Sequence, residues 1–176
     1  MTIRVARPED ARSIAEVHVR SWQAGYRGII PDYALENLDP ERLSGVWSKR
    51  LAGDLTDPGS GVLLAEQDTG VVAFAGFVTG PDPEDDSRTV VDLETFYSVP
   101  EVWGTGTNRK LAEALHEVMA QGPADQAVLR VLTANTRARR FYENQGWRDT
   151  GLVMDEALLR GTVVLPTTLY RRSCAA

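Results

Sequence analysis

VVDLETFYSVPEVWGTGTNRKLAEAL, residues 90–115, reads as a buried strand, a proline turn, a glycine-rich loop and an amphipathic helix. Val90, Val91, Leu93, Phe96 and Tyr97 give its first half the apolar, β-favouring character of a buried strand. Pro100 ends the ladder because it has no N–H to donate. Further on, Leu111, Ala112, Ala114, Leu115 and Val118 recur at helical spacing, which predicts a helix over about residues 105–119. The connection is Trp103, Gly104, Thr105, Gly106, Thr107 and Asn108. Glycines there let the backbone come close to a ligand, and the first free N–H groups of the helix point at it. A helix start also carries partial positive charge, so an anion such as a phosphate suits it.

Two nucleotide motifs can be tested against this loop. The dinucleotide pattern wants a third glycine at position 109, where the chain has Arg109. The P-loop wants Lys and then Ser or Thr after a glycine, and Asn108 and Arg109 follow instead. Both fail. A lone Gly-x-Gly before a helix reads as a phosphate cradle or as a plain tight turn.

A second stretch, NTRARRFYENQGW at residues 135–147, reads as a short helix with Asn135 as N-cap and Gly146 at its end. The strand before it is AVLRVL, residues 127–132. Strand, glycine loop, helix, strand, then Asn-x-x-Ala-x-x-Phe-Tyr-x-x-x-Gly-Trp strongly resembles the GCN5-related N-acetyltransferase (GNAT) superfamily. The glycine loop stands where that family has its pyrophosphate-binding motif, Gln/Arg-x-x-Gly-x-Gly/Ala. Gly106 keeps the central glycine, while Trp103 replaces the Gln/Arg and Asn108 replaces the final Gly/Ala.

The resemblance implies one α+β domain over residues 1–172, with a mixed, mainly antiparallel sheet flanked by helices and a short tail at 173–176. It implies acetyl-CoA as cofactor and acetyl transfer to a primary amine of a small molecule, an amino acid or a peptide. In the family, the strand before the glycine loop and the strand before the second motif splay apart, and pantetheine lies in the gap. Phe96, Tyr97 and Val99 would then offer backbone hydrogen bonds, and an N–H near Phe96 or Tyr97 would receive the oxyanion. Gly104, Thr105, Gly106, Thr107 and Asn108 would hold the pyrophosphate next to Trp103. Asn135 would also contact the cofactor. Of the basic run Arg137, Arg139 and Arg140, Arg139 is the one assigned to the phosphates. The partner is an amine substrate, with neither nucleic acid nor membrane, and a homodimer stays open. A non-catalytic acyl-CoA-binding regulatory domain is the alternative function.

The chemistry needs two proton carriers. An alkyl amine has a pKa of ~10.4, so a base must take its proton before it attacks. The departing thiolate leaves more easily if an acid protonates it. Tyr142 lies seven residues after Asn135, two helical turns on, so both project from one face. The family has a tyrosine at the matching position beside the CoA sulfur; packing with Phe141 and Trp147 is the plainer reading. Glu94 and Asp92 alternate with Leu93 and share one face of the strand, where buried carboxylates must be paired or functional. Glu94 is the preferred base because it is nearer the splay, and an ion pair with an arginine is the other reading. On the acceptor side, Trp22, Tyr26 and His18 are candidates for a pocket wall or a contact to a cation. The acidic run Asp82, Glu84, Asp85 and Asp86 would attract an amine or simply be solvated.

Composition is compatible with this. The chain has 176 residues, 43% apolar and 25% charged, which is ordinary for a folded domain. A net charge of −6 argues against broad nucleic-acid binding. No apolar run approaches the ~18 residues of a membrane span, and the charged N-terminus does not read as a signal peptide. One cysteine, Cys174, fits a reducing, cytoplasmic setting, and only two histidines, His18 and His116, make a His-based metal site unexpected. Further elements are expected as a strand at 3–7, a helix at 9–24 and short helices at 31–36 and 40–51. A turn cluster at 57–61 precedes a hairpin of 62–66 with 71–79, a loop follows at 80–87, and final strands are expected at 148–154 and 163–171.

Overall fold

The strand expected at residues 90–99 becomes β4 (Asp85–Ser98), the central member of a seven-stranded sheet. The structure, a computed structural model, describes residues 1–54 and 59–175, so the turn cluster expected at 57–61 lies partly outside the described residues. The other strands are β1 (Thr2–Val5), β2 (Gly61–Gln67), β3 (Gly70–Asp82), β5 (Gln126–Leu132), β6 (Arg148–Leu158) and β7 (Val163–Ser173). They lie in the order β1-β2-β3-β4-β5-β7-β6, antiparallel throughout except for β4 beside β5. Helices α1 (Ala11–Gly25), α2 (Asp32–Glu36), α3 (Pro40–Asp54), α4 (Thr107–Ala120) and α5 (Thr136–Asn144) flank it. This is the α+β arrangement that the element order implied.

The apolar stripes explain the layers. α1 buries Ile14, Ala15, Val17 and Trp22, and α4 buries Leu111, Ala112, Leu115 and Met119. β2 and β3 are therefore covered and read as continuous apolar runs, with Val62, Leu64, Phe74 and Ala75 at most 1% exposed. Phe74 seats α3 on the sheet: its ring lies 5.1 Å from Trp47 of α3 and 5.6 Å from Tyr97 of β4. Truncating a buried aromatic of this kind typically costs about 3–5 kcal/mol.

Three expectations are corrected. Residues 80–87 are mostly ribbon rather than loop, because β3 runs on to Asp82 and β4 starts at Asp85. Asp82 is 2% exposed, accepts two hydrogen bonds from the Arg171 guanidinium at 2.8 Å each, and takes the Glu84 backbone N–H at 3.0 Å. That acid fastens the hairpin to β7, with Glu84 on the same guanidinium at 2.7 Å, instead of waiting for an amine. The β6–β7 ribbon also extends past 154 to the pair Leu158–Val163. β6 is an edge strand with alternating exposure, so cross-strand pairing forms it without an apolar run. Finally, the first residues of the expected tail belong to the sheet: β7 includes Ser173, and Cys174 is buried and donates its N–H to Asp125 at 2.9 Å.

Two irregularities in β4 create the site. The register with β3 steps from Phe77–Leu93 to Gly76–Thr95, leaving Glu94 as a bulged residue with no partner. Asp92 stands opposite Val78, Thr95 opposite Gly76 and Tyr97 opposite Phe74. The bulge thus keeps Asp92, Glu94, Thr95 and Tyr97 on the α1/α3 side, where Arg50 of α3 reaches Glu94 and His18 of α1 meets Tyr97. The second irregularity is a splay. β4 pairs with β5 only at Val91–Ala127 and Asp92–Val128, while β4 continues to Ser98 and β5 to Leu132.

Candidate active site

The splay opens a cleft of about 220 Å³ between β4, β5, α5 and the start of α4. Nine of the expected site residues line it: Glu94, Phe96 and Tyr97 from β4, Trp103, Gly104 and Asn108 from the loop and helix start, Asn135 and Tyr142 from α5, and Tyr26 after α1. The elements explain the convergence. β4 ends at a 3₁₀ turn, Pro100–Val102, and the chain then reverses through Gly104 (φ 76°) and Gly106 (φ 89°), a backbone region that suits glycine. Gly106 caps α4 with no side-chain hydrogen bond, so the first N–H groups of the helix are left facing the loop. Asn135 caps α5, its Oδ1 accepting the Ala138 N–H at 3.1 Å.

Backbone accounting narrows the expected strand contacts. The Val99 N–H donates to Val72 at 2.9 Å, so Val99 cannot offer it to a ligand. By strand alternation the Tyr97 N–H also turns toward β3, which leaves Phe96 and Ser98 facing the gap. The oxyanion position expected near Phe96 or Tyr97 therefore falls to Phe96.

The two departures from the family loop meet on one residue. Trp103 Nε1 donates to Ser98 Oγ at 3.0 Å and to Ser98 O at 3.2 Å, and Asn108 Nδ2 donates to the same Oγ at 3.0 Å. Asn108 Oδ1 is buried with no hydrogen-bond partner among the described residues. Thr105 and Thr107 join hydroxyls at 3.0 Å behind the loop, outside the cleft lining. The arginine assignment changes. Arg139 is directed away, onto Tyr170 at 2.9 Å and Asp149 at 3.0 Å, and Arg137 lines the cleft with its guanidinium 3.6 Å above the Trp103 ring.

Both strand carboxylates carry the arginine partner that was the alternative to catalysis. Glu94 pairs with Arg50 and lines the cleft, whereas Asp92 pairs with Arg130 at 2.8 Å and lies outside the lining. Burial raises the Asp92 carboxyl above its usual range, and its Oδ1 has no partner among the described residues. Tyr142 packs edge-on to Phe96, 6.4 Å between ring centroids, and burial near Tyr97 raises its phenol so that it stays protonated. Trp22 and His18 stand behind the lining. Trp22 meets Tyr26 edge-on at 5.1 Å. His18 accepts the Trp47 Nε1–H at 3.3 Å, and burial, reinforced by Arg50, lowers its pKa to about 3. Burial thus keeps its ring neutral, packed against Trp22, Trp47, Phe74 and Tyr97.

Ser98, Arg130 and Arg137 are among the polar residues that line the cleft without having been assigned to it from sequence. Arg130 had a signal, as the lone charge in AVLRVL, and in the structure it meets Asp92 of the neighbouring strand. Ser98 carried no local signal, because its role depends on two residues later in the chain.

Comparisons with known proteins agree with this geometry. The model of the acetyltransferase (GNAT) family matches residues 14–147. An uncharacterized N-acetyltransferase of Mycobacterium tuberculosis is 31% identical over 147 residues, covering 81% of this chain and 85% of its own. Another, from Archaeoglobus fulgidus, is 30% identical over 148 residues, 84% of this chain and 93% of its own. Among solved structures, PaiA N-acetyltransferase of Thermoplasma acidophilum, in complex with coenzyme A, has a TM-score of 0.72 at 16% identity, covering 98% of both chains. YncA of Salmonella typhimurium, solved with acetyl-CoA, has a TM-score of 0.69 at 21% identity, covering 100% of this chain and 95% of its own. At those identities the structures speak for the fold, and the family match and sequence relatives carry the assignment: the chain belongs to the acetyltransferase (GNAT) family.

Proposed function

We propose that the protein transfers the acetyl group of acetyl-CoA to a primary amine of a small molecule, an amino acid or a peptide. The observation that carries this is the unpaired gap between β4 and β5, which joins the uncapped start of α4 to Tyr142. The residues present fit the cofactor. An extended chain can add to the free edge at Phe96 and Ser98, and phosphates suit the α4 N–H groups. Coenzyme-bound neighbours of the same fold support the reading.

Acetyl-CoA supplies a thioester-activated acetyl group and a sulfur leaving group. Glu94, at the cleft wall on the α1/α3 side, takes the proton from the ammonium directly or through water. The Phe96 N–H, fixed by β4 before reaction, faces the developing negative charge on the carbonyl oxygen. As the amine nitrogen bonds to the acetyl carbon and the carbon–sulfur bond breaks, Tyr142 would give its phenol proton to the sulfur, and the second proton shed by the nitrogen would restore the phenol directly or through water. Tyr26 forms the acceptor-side wall.

The test has two stages. Acetyl-CoA should raise the melting temperature, and thiol release should then depend on an added amine. Stabilisation without release across a broad amine panel would favour a non-catalytic acyl-CoA-binding domain. No stabilisation at all would overturn both.

A further inference from the structure

We propose that Arg137, seated on the Trp103 ring, supplies the cationic grip on the cofactor's pyrophosphate that the loop's own sequence lacks, with Ser98 and Asn108 fixing that seat. This rests on the proposed use of acetyl-CoA. The argument begins with what Trp103 displaces: the family motif has Gln or Arg at the head of the loop, and an indole carries neither charge nor fork. The indole instead presents a π-face, and the Arg137 guanidinium lies 3.6 Å from its centroid, close enough for cation–π attraction.

The ring itself is held. Its Nε1–H goes to Ser98, which is 4% exposed, and Asn108 donates to the same hydroxyl. The two residues that depart from the family loop are thus one hydrogen-bonded unit, and that unit orients the platform under an arginine from a different helix. Arg137 is also confined from the α1 side, where a side chain built at Gly25 would meet its guanidinium at 3.2 Å.

Arg137 makes no ion pair or hydrogen bond among the described residues. Arg139, by contrast, is fully engaged by Tyr170, Thr133 and Asp149. A solvent-accessible guanidinium at a cleft rim, beside open helix N–H groups and without a carboxylate, is arranged for an anion.

The experiment measures dissociation constants by calorimetry for CoA, dephospho-CoA and S-acetylpantetheine. Proteins are the parent, Arg137→Ala, Trp103→Ala, the double variant and Trp103→Phe, each checked for folding by circular dichroism. Arg137→Ala should weaken CoA and dephospho-CoA alike, by about tenfold, and leave S-acetylpantetheine within about twofold. Trp103→Ala should lose a similar factor, the double variant little more, and Trp103→Phe an intermediate factor, because a π-face remains without the N–H that Ser98 holds. Loss for CoA but not dephospho-CoA would mean that Arg137 reads the 3′-phosphate, overturning the pyrophosphate assignment. Equal loss for all three ligands would make Arg137 structural, and fully additive losses would break the coupling to Trp103. A parent that binds CoA while Arg137→Ala binds equally well overturns this inference alone; a parent without CoA affinity overturns the function with it.

Discussion

Tyr142 shows how one residue acquires a role from its surroundings. Its position two turns after Asn135 was legible in the sequence, as was the fact that packing with Phe141 and Trp147 could explain it. The structure gives it both: rings at 5.5 Å and 6.2 Å hold it, and the cleft reaches it. Burial favours the neutral phenol, so the group keeps the proton that the proposed transfer asks it to give up. Tyr142→Phe keeps the ring contacts and removes only the hydroxyl. We expect kcat to fall about 10²-fold or more, with acetyl-CoA affinity little changed. An unaltered kcat with a good amine would return Tyr142 to a packing role. Glu94 was legible in the same double sense, since a carboxylate on an apolar strand asks for an arginine or a function. Arg50 could not be foreseen, because its place depends on α3 being carried onto the sheet by Trp47 and Leu51.

At the scale of elements, the covered strands and amphipathic helices were readable because their apolar residues recur with the period of the element. The segments that escaped are those whose stability comes from pairing across the chain. The outer part of β6 has no apolar run, and the Asp82 hairpin depends on Arg171, 89 residues away. The β4–α4 turn was readable as far as its glycines, but not the reason each is needed. Beyond its own chain neighbours, no atom of the described residues lies within 4 Å of a side-chain carbon built at Gly106, so the constraint there is the backbone, at φ 89°. A β-branched residue in that region is strained by about 1–2 kcal/mol or more, and it relaxes by re-aiming the first N–H groups of α4. Gly106→Val should therefore lower the melting temperature by a few degrees, leave the fold intact, and weaken CoA binding by at least tenfold. Gly45, exposed on α3 and open on all sides, is the control: Gly45→Ala should leave binding unchanged and hold or slightly raise stability. If Gly106→Val binds CoA as the parent does, the N–H groups of this turn do not hold the phosphates.

For the whole molecule, the burial of two histidines sets how stability responds to pH. No described helix is long and apolar enough to cross a membrane. His18 sits among Trp22, Trp47, Phe74 and Tyr97, and burial with help from Arg50 lowers its pKa to about 3. His116 of α4 packs near Trp147, and burial with help from Arg172 lowers its pKa to about 4. In the unfolded chain both return to about 6.5. Below that value the unfolded state binds protons that the folded state refuses, so stability is complete above pH ~6.5 and declines as pH falls toward the folded values. A second decline begins lower. The Arg4 partner of Asp10 and the Arg171 partner of Asp82 hold those carboxyls below their usual range, so their contribution is present above about pH 3.9 and is lost as pH falls through the folded values. Denaturant unfolding from pH 8 to pH 3 should thus show stability falling from near pH 6.5, well before carboxylates titrate. His116→Gln should remove part of the upper decline while leaving the lower one in place. A parent profile that stays flat down to pH 4.5 would mean that the two histidines are hydrated in the folded state, and that the aromatic wall behind the cleft is looser than its ring contacts require.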